Sequence, residues 1–166
     1  TNTRNAPVEA IELAYPLLVE SYGLVPDSEG AGRYRGGVGI RRSLKVLGER
    51  VHLTLSSDRA EVGPWGLFDG WPARPSRCVV QGPDGEDRRL PSKVTTFVER
   101  DRVIVTQTPG GGGWGDPRLR DPQSVRADVV AGLVSIERAR DVYGVALDPD
   151  TLDVDDEATA RLRSDA

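Results

Sequence analysis

At 166 residues the chain has room for one domain with a sizeable core, or for one domain and a tail. Hydrophobic residues make up 37% and charged ones 29%, the balance of a soluble globular protein. The net charge of −4 hides a split: residues 31–60 carry seven Lys or Arg against two acids, and residues 144–166 carry seven acids against two Arg. Cys78 is the single cysteine, which excludes an intrachain disulfide and a cysteine-rich zinc site and fits a reducing compartment. No apolar run approaches the ~18 to 20 residues that cross a membrane, and no signal peptide opens the chain. The expected location is therefore cytoplasmic, without membrane contact. A chain that opens TNTRNAPVE, without Met, is expected to be a fragment or a processed piece.

In chain order, Pro7-Val8-Glu9 predicts a first helical turn. Proline needs no amide partner there, and Glu9 suits the positive end of the helix dipole. Val8, Ile11 and Ala14 or Tyr15 recur at helical spacing until Pro16 stops the helix. Leu17–Val25 looks extended, and PDSEGAGRYRGG (26–37) is a turn-rich loop. In residues 38–46, Val38, Ile40, Leu44 and Val46 alternate with polar or small residues; Arg42 interrupts the apolar side, as a bulge or an edge would. Residues 51–55 alternate again, and LGER (47–50) predicts a hairpin between the two strands. Further strands are expected at Arg77–Gln81, Lys93–Glu99 and Val103–Gln107, with a turn at GPDGED and a tight turn near Arg100-Asp101.

Beyond the glycine-rich TQTPGGGGWGDPR (106–118) the period changes to a helical one. Asp121 predicts an N-cap with Pro122 at the first position, Val125, Val129 and Val130 a face, and Gly132 a stop. Ser135 opens a second helix through Ala139 and Val142 to Gly144, and DVDDEATARLR a third, capped by Asp155 or Asp156. The expected fold is α+β: an N-terminal helix, a central antiparallel sheet or sandwich, and short C-terminal helices. The expected division is a domain over 1–147 and an acidic helix or tail over 148–166.

Catalytic sets are scarce. His52 is the only histidine and occupies a polar strand position, where a surface role is the default. Cys78 reads as a small buried thiol with nothing nearby to activate it. Neither a nucleophile elbow nor a P-loop is present. DPDTLDVDDEAT (148–159) lacks the third acid, the glycine and the final Glu of a calcium loop, so no metal is expected on this chain. The basic residues between 31 and 60 are interspersed with strand formers and lack stacking aromatics, so a solvated strand face is expected and nucleic acid is not.

Two loop clusters remain. SSDRAEVGPWGLFDGWPARP (56–75) holds two Trp and a Phe in a Gly/Pro-rich stretch. It is either a substrate or subunit contact surface or a loop folded back on the sheet edge. From it, Ser57, Asp58, Arg59 and Trp65 are the candidate binding residues: Arg59 to steady a carboxylate or phosphoryl oxygen through its planar fork, Asp58 to orient it, Trp65 to wall the site. The second cluster is Gly110, Gly111, Gly112 and Gly113 with Trp114. No lysine follows, and the next helix starts too late for a nucleotide loop. A structural role is expected instead: an exit from the sheet that other residues would resist, packed close to neighbouring backbone, with Trp114 as anchor.

The strings NTRNAPVEAIELAYPLLVESYGLVPDSEGAGRYRGGVGIRR, LSSDRAEVGPWGLFDG, LPSKVT and TPGGGGWGDPRLRDPQSVRADVVAGLVSIERARDVYGV together resemble the C-terminal portion of the hydantoinase B/oxoprolinase family, in that family's order. The resemblance implies participation in the ATP-dependent opening of a cyclic amide such as a hydantoin or 5-oxoproline. A hydantoinase A-type partner would activate the lactam and the B-type subunit complete its hydrolysis. It implies that this chain binds no cofactor itself, ATP and a divalent metal lying elsewhere in a hetero-oligomer that also supplies the N-terminal portion of the B-type subunit. A chain without that portion is expected to be inactive alone. Two other readings stay open: a non-catalytic scaffold subunit, and part of an enzyme of the acetone carboxylase type.

Overall fold

Residues 5–164 are described by a computed structural model. Helix α1 (Val8–Ala14) starts after Pro7 and is followed by strand β1 (Leu17–Val25). Strands β2 (Gly39–Val46), β3 (Arg50–Ser56), β4 (Arg77–Gln81), β5 (Asp87–Leu90), β6 (Lys93–Glu99) and β7 (Val103–Gln107) build the middle of the chain. A 3₁₀ turn (Pro117–Leu119) leads to helices α2 (Pro122–Val130), α3 (Ile136–Asp141) and α4 (Asp156–Ser164). The α+β class follows from this order.

The strands form a five-stranded sheet in the order β1-β2-β7-β4-β5 and a two-stranded sheet, β3-β6. Their inner faces share one core: Val46, Cys78, Val80, Leu90 and Ile104 from the larger sheet meet Val98 from the smaller, with Leu53 and Leu55 packed against them. Period-two alternation makes this possible, since Val51, Leu53 and Leu55 point inward while His52 and Thr54 stay exposed.

Neither short turn closes a hairpin, contrary to the local expectation. β2 pairs with β7 (Lys45 opposite Val103), and β3 pairs with β6 (Arg50 opposite Glu99). LGER and Arg100-Asp101 are instead two neighbouring corners where a single ribbon passes from one sheet to the other. The corners bond each other: Asp101 N donates to the Val46 carbonyl (2.9 Å) and Arg100 N to that of Glu49 (3.0 Å). From 45 to 50 the chain takes five steps while its partner takes four, from 103 to 99. That one extra residue bends the ribbon as a bulge does.

Arg42 marks neither an edge nor an interruption of the β2–β7 ladder. β2 is an interior strand in unbroken register with β7, and the Arg42 guanidinium lies over the Tyr22 ring, 4.9 Å from its centroid. Strand β5 was not expected, because DRRL carries no apolar alternation; it forms by pairing with β4 across the GPDG turn, where Gly85 adopts φ +77°.

The three C-terminal helices form where capping residues stand. Asp121 accepts from Ser124 N (2.8 Å), Ser135 from Arg138 N (3.1 Å) and Asp155 from Ala158 N (2.9 Å). Gly132 and Gly144, at φ +68° and +62°, follow α2 and α3. Val125, Val134, Ala139, Tyr143, Val145 and Ala31 make a second core, with Val129 against it. Val130 was expected on that face but is 59% exposed, because a nine-residue helix with one buried stripe leaves it on the solvent side.

The chain divides into two units. The first comprises Thr1–Gly23, Arg41–Ala60 and Ser76–Gln107, and contains the strand core. The second comprises Leu24–Ile40, Glu61–Pro75 and Thr108–Ala166, and contains the helical core. Among the described residues no helix is long and apolar enough to cross a membrane.

Candidate functional site

Ser57, Asp58 and Arg59 leave β3 in the first unit, and Trp65 lies in the second. The three-residue turn is held by serines. Ser57 N donates to the Ser92 carbonyl (2.8 Å), and the Ser57 and Ser76 hydroxyls are 3.0 Å apart. Ser76 Oγ donates to the Asp58 carbonyl and Ser76 N to that of Arg59, both at 2.8 Å. Arg59 is thereby fixed at φ +60°, a left-handed conformation that costs a non-glycine residue about 1 kcal/mol or more. The Asp58 and Arg59 side chains are exposed, while the Ser57 hydroxyl is engaged in the turn.

In the second unit, three loop segments (28–37, 64–74 and 110–115) are joined by backbone hydrogen bonds without forming a regular sheet. Gly30 N donates to Gly111 O (2.8 Å), Gly111 N to Gly37 O (2.8 Å), Trp71 N to Ala31 O (2.7 Å) and Gly113 N to Trp71 O (3.0 Å). Glycine is required by proximity. A Cβ on Gly112 would sit 1.9 Å from Trp65 O, one on Gly113 1.8 Å from Ala31 O, and one on Gly110 2.2 Å from Ser28 O. The run is thus a wall of close-packed backbone.

Large side chains stand out from this glycine layer. Tyr34 and Phe68 each hold their ring 5.5 Å from that of Trp114, and Leu67 bridges to Trp114 through the backbone. Phe68 is 71% exposed, Trp65 62% and Trp114 44%, and Trp71 is exposed as well. The segment from 56 to 75 therefore combines a fixed backbone with outward-facing rings.

Also in the second unit lies a buried ionic network that sequence reasoning missed. Glu29 is completely buried and accepts from Arg138 Nε (2.7 Å) and the Tyr143 hydroxyl (3.1 Å). Asp128 accepts from Arg35 (2.8 Å) and Arg120 (2.9 Å). Burial, reinforced by the Glu29 charge, pushes the Tyr143 phenol well above its ordinary value. The hydrogen bond to Asp128 raises the pKa of Arg35 further. The one available signal was Asp128 itself, three residues after Val125 on the buried stripe of α2.

Cys78 is buried among strands, where burial raises its thiol pKa and disfavours the nucleophilic thiolate. His52 is exposed, with its ring 5.0 Å from Phe97. Asp148 spends its carboxylate on the amides of Asp150 (2.9 Å) and Thr151 (2.8 Å), bonds that lower its pKa. Among the described residues no group of three or more His, Cys, Asp or Glu is arranged to hold a metal ion.

The fold recurs in known proteins. The family model described as hydantoinase B/oxoprolinase matches residues 1–117. The chain belongs to the hydantoinase B/oxoprolinase family. The B-type subunit of a putative D-/L-hydantoinase from Pseudomonas sp. (strain NS671) is 33% identical across 98% of this chain and 27% of its own length. The beta subunit of the Pseudomonas jessenii caprolactamase is 36% identical over 85% of this chain and 25% of its own. Among solved structures, the nucleotide-free acetone carboxylase superposes with a TM-score of 0.81 at 26% identity, covering 96% of this chain and 26% of that one. The ATP-dependent caprolactamase of P. jessenii gives a TM-score of 0.80 at 30% identity, covering 95% and 28%. The chain thus spans about a quarter of the length of these hydantoinase B-type relatives.

Proposed function

We propose that this chain is the C-terminal portion of a B-type subunit in an ATP-dependent enzyme that opens cyclic amides of the hydantoin or 5-oxoproline kind. The observation that carries the reading is likeness along nearly the whole chain to the B-type subunit of a hydantoinase and, in sequence and fold, to a caprolactamase. An A-type partner activates the lactam with ATP, and the B-type subunit completes hydrolysis. ATP and a divalent metal are held by those other portions of a cytoplasmic hetero-oligomer.

Within it, the serine-braced turn supplies Arg59 to a carboxylate or phosphoryl oxygen, with Asp58 to orient it. Backbone strain at an exposed arginine supports this role, since strained positions cluster where side-chain aim matters. Losing a hydrogen bond to a charged group costs about 1.5–3 kcal/mol, roughly a ten- to hundredfold loss of kcat/KM. In the enzyme assembled with its partners, Arg59→Ala is expected to show that loss. Arg59→Gly should show it too while raising the melting temperature, because glycine relieves the left-handed strain. Wild-type kinetics for both variants would remove Arg59 from the site.

The acetone carboxylase likeness favours a second reading, in which the assembled enzyme carboxylates a ketone. ATP-dependent hydrolysis of hydantoin, 5-oxoproline or caprolactam by the complex supports the first reading; ketone carboxylation without lactam turnover supports the second. A complex whose turnover of either kind is unchanged when this chain is omitted would leave it a scaffold.

A further inference from the structure

We propose that the ring-bearing face of the glycine layer, centred on Trp114, Phe68, Tyr34 and Leu67, is the docking surface for the remaining portion of the family's B-type polypeptide. Large apolar side chains are clustered and exposed on one layer, whereas soluble proteins rarely leave such patches open without a partner. Trp and Tyr are also the residues that anchor interfaces.

The face is rigid before any partner arrives. Hydrogen bonds between 28–37, 64–74 and 110–115 fix its backbone, so little entropy is left to lose on docking. Phe68 sits at the tip of a tight turn closed by Gly70 N donating to Leu67 O (3.0 Å). Its φ of +51° is unfavourable for a phenylalanine, and Asp69 follows at +69°. Strain spent on holding a phenylalanine in water has a purpose only if something receives the ring.

The choice of occupant comes from length and chemistry. The stretch of a relative equivalent to this chain is 27% of the hydantoinase B-type polypeptide and 28% of the caprolactamase chain. About three quarters of those polypeptides therefore accompanies the same fold, linked covalently to it at high effective concentration. A face between parts of one polypeptide resembles a core cut in half, and this one is apolar and aromatic. Interfaces between separately made, transient partners are about as polar as the rest of the surface. The inference rests on family membership and not on the reaction, so its failure leaves the lactam reading standing.

All three tryptophans of the chain, Trp65, Trp71 and Trp114, lie on this layer. In a Trp65→Phe, Trp71→Phe variant of the 166-residue chain, Trp114 alone reports on the face. Adding the rest of the B-type fold, produced as a separate polypeptide, should shift Trp114 emission to the blue and protect it from acrylamide. Phe68→Asp should weaken that association at least a hundredfold by sedimentation. Aspartate tolerates the left-handed φ better than phenylalanine, so an unchanged melting temperature will show that the variant folds. Val130→Asp, a like substitution on an exposed position of α2, should bind as wild type. The proposal fails if no association occurs, if Trp114 stays quenchable within a stable complex, or if Phe68→Asp binds normally. It also fails if Trp114 is protected by self-association of the chain or by the A-type partner alone.

Discussion

Gly113 and Gly37 show how far two glycines of one layer can differ. A Cβ on Gly113 would lie 1.8 Å from the Ala31 carbonyl oxygen, a contact between backbones that no rotamer can relieve; at Gly37 nothing stands within 4 Å. Gly113→Ala is therefore expected to cost about 3 kcal/mol or more, and Gly37→Ala to stay within about 0.5 kcal/mol of wild type, in urea unfolding. Equal midpoints for the two variants would mean that the layer is looser than its geometry. Tyr143 offers a second test through pH. Its phenol is held protonated by burial first and by Glu29 second, so its pKa is raised above the ordinary value of 10.0. A raised phenol contributes stability that is complete below the unfolded pKa and is lost as pH rises beyond it. Stability should fall above pH ~10, and Tyr143→Phe should flatten that fall while costing about 1 kcal/mol at neutral pH. The Cys78 thiol, also raised by burial, acts in the same direction, so the phenol is read from the difference between variant and wild type. A variant with an unchanged alkaline limb would show that Tyr143 does not titrate in this way.

At the scale of elements, what was legible was local. Caps at Asp121, Ser135 and Asp155 announce α2, α3 and α4 because the capping atom and the amide it satisfies lie three residues apart. Period-two alternation announces β2, β3 and β6 because each strand turns one face to the same core. Partner choice was not legible. A four-residue turn such as LGER serves a hairpin or a corner equally well, and the deciding bonds come from residues 100–102, about fifty positions away. β5 escaped notice for the same reason: of DRRL only Leu90 is buried, and pairing with β4 makes the strand. In the second unit, the loop from 61 to 75 stands out by its rings, but nothing local shows that 64–74 is bonded to 110–115. Asp128 reads as one more polar helix position until Arg35 and Arg120 converge on it from outside α2.

For the whole molecule, the order of segments has a consequence for unfolding. The chain passes between its two units five times, and each unit is assembled from three separate segments. Residues 24–40 leave β1 and enter β2, and 61–75 lie between β3 and β4, so strands of the first unit hold both ends of two segments of the glycine layer. If those strands unfold, the two segments lose their anchored ends and the closure entropy of ordering them rises. The units should therefore unfold together although their cores share no residue. Val80, completely buried in the strand core, provides the test: Val80→Ala removes two methyl groups' worth of burial and should cost about 2 kcal/mol. All three tryptophans belong to the second unit, so their fluorescence follows that unit while far-ultraviolet dichroism follows both. Val80→Ala should lower the two midpoints by the same amount. A fluorescence midpoint left at the wild-type value, with dichroism splitting into two transitions, would show that the glycine layer and its helices stand without the sheets.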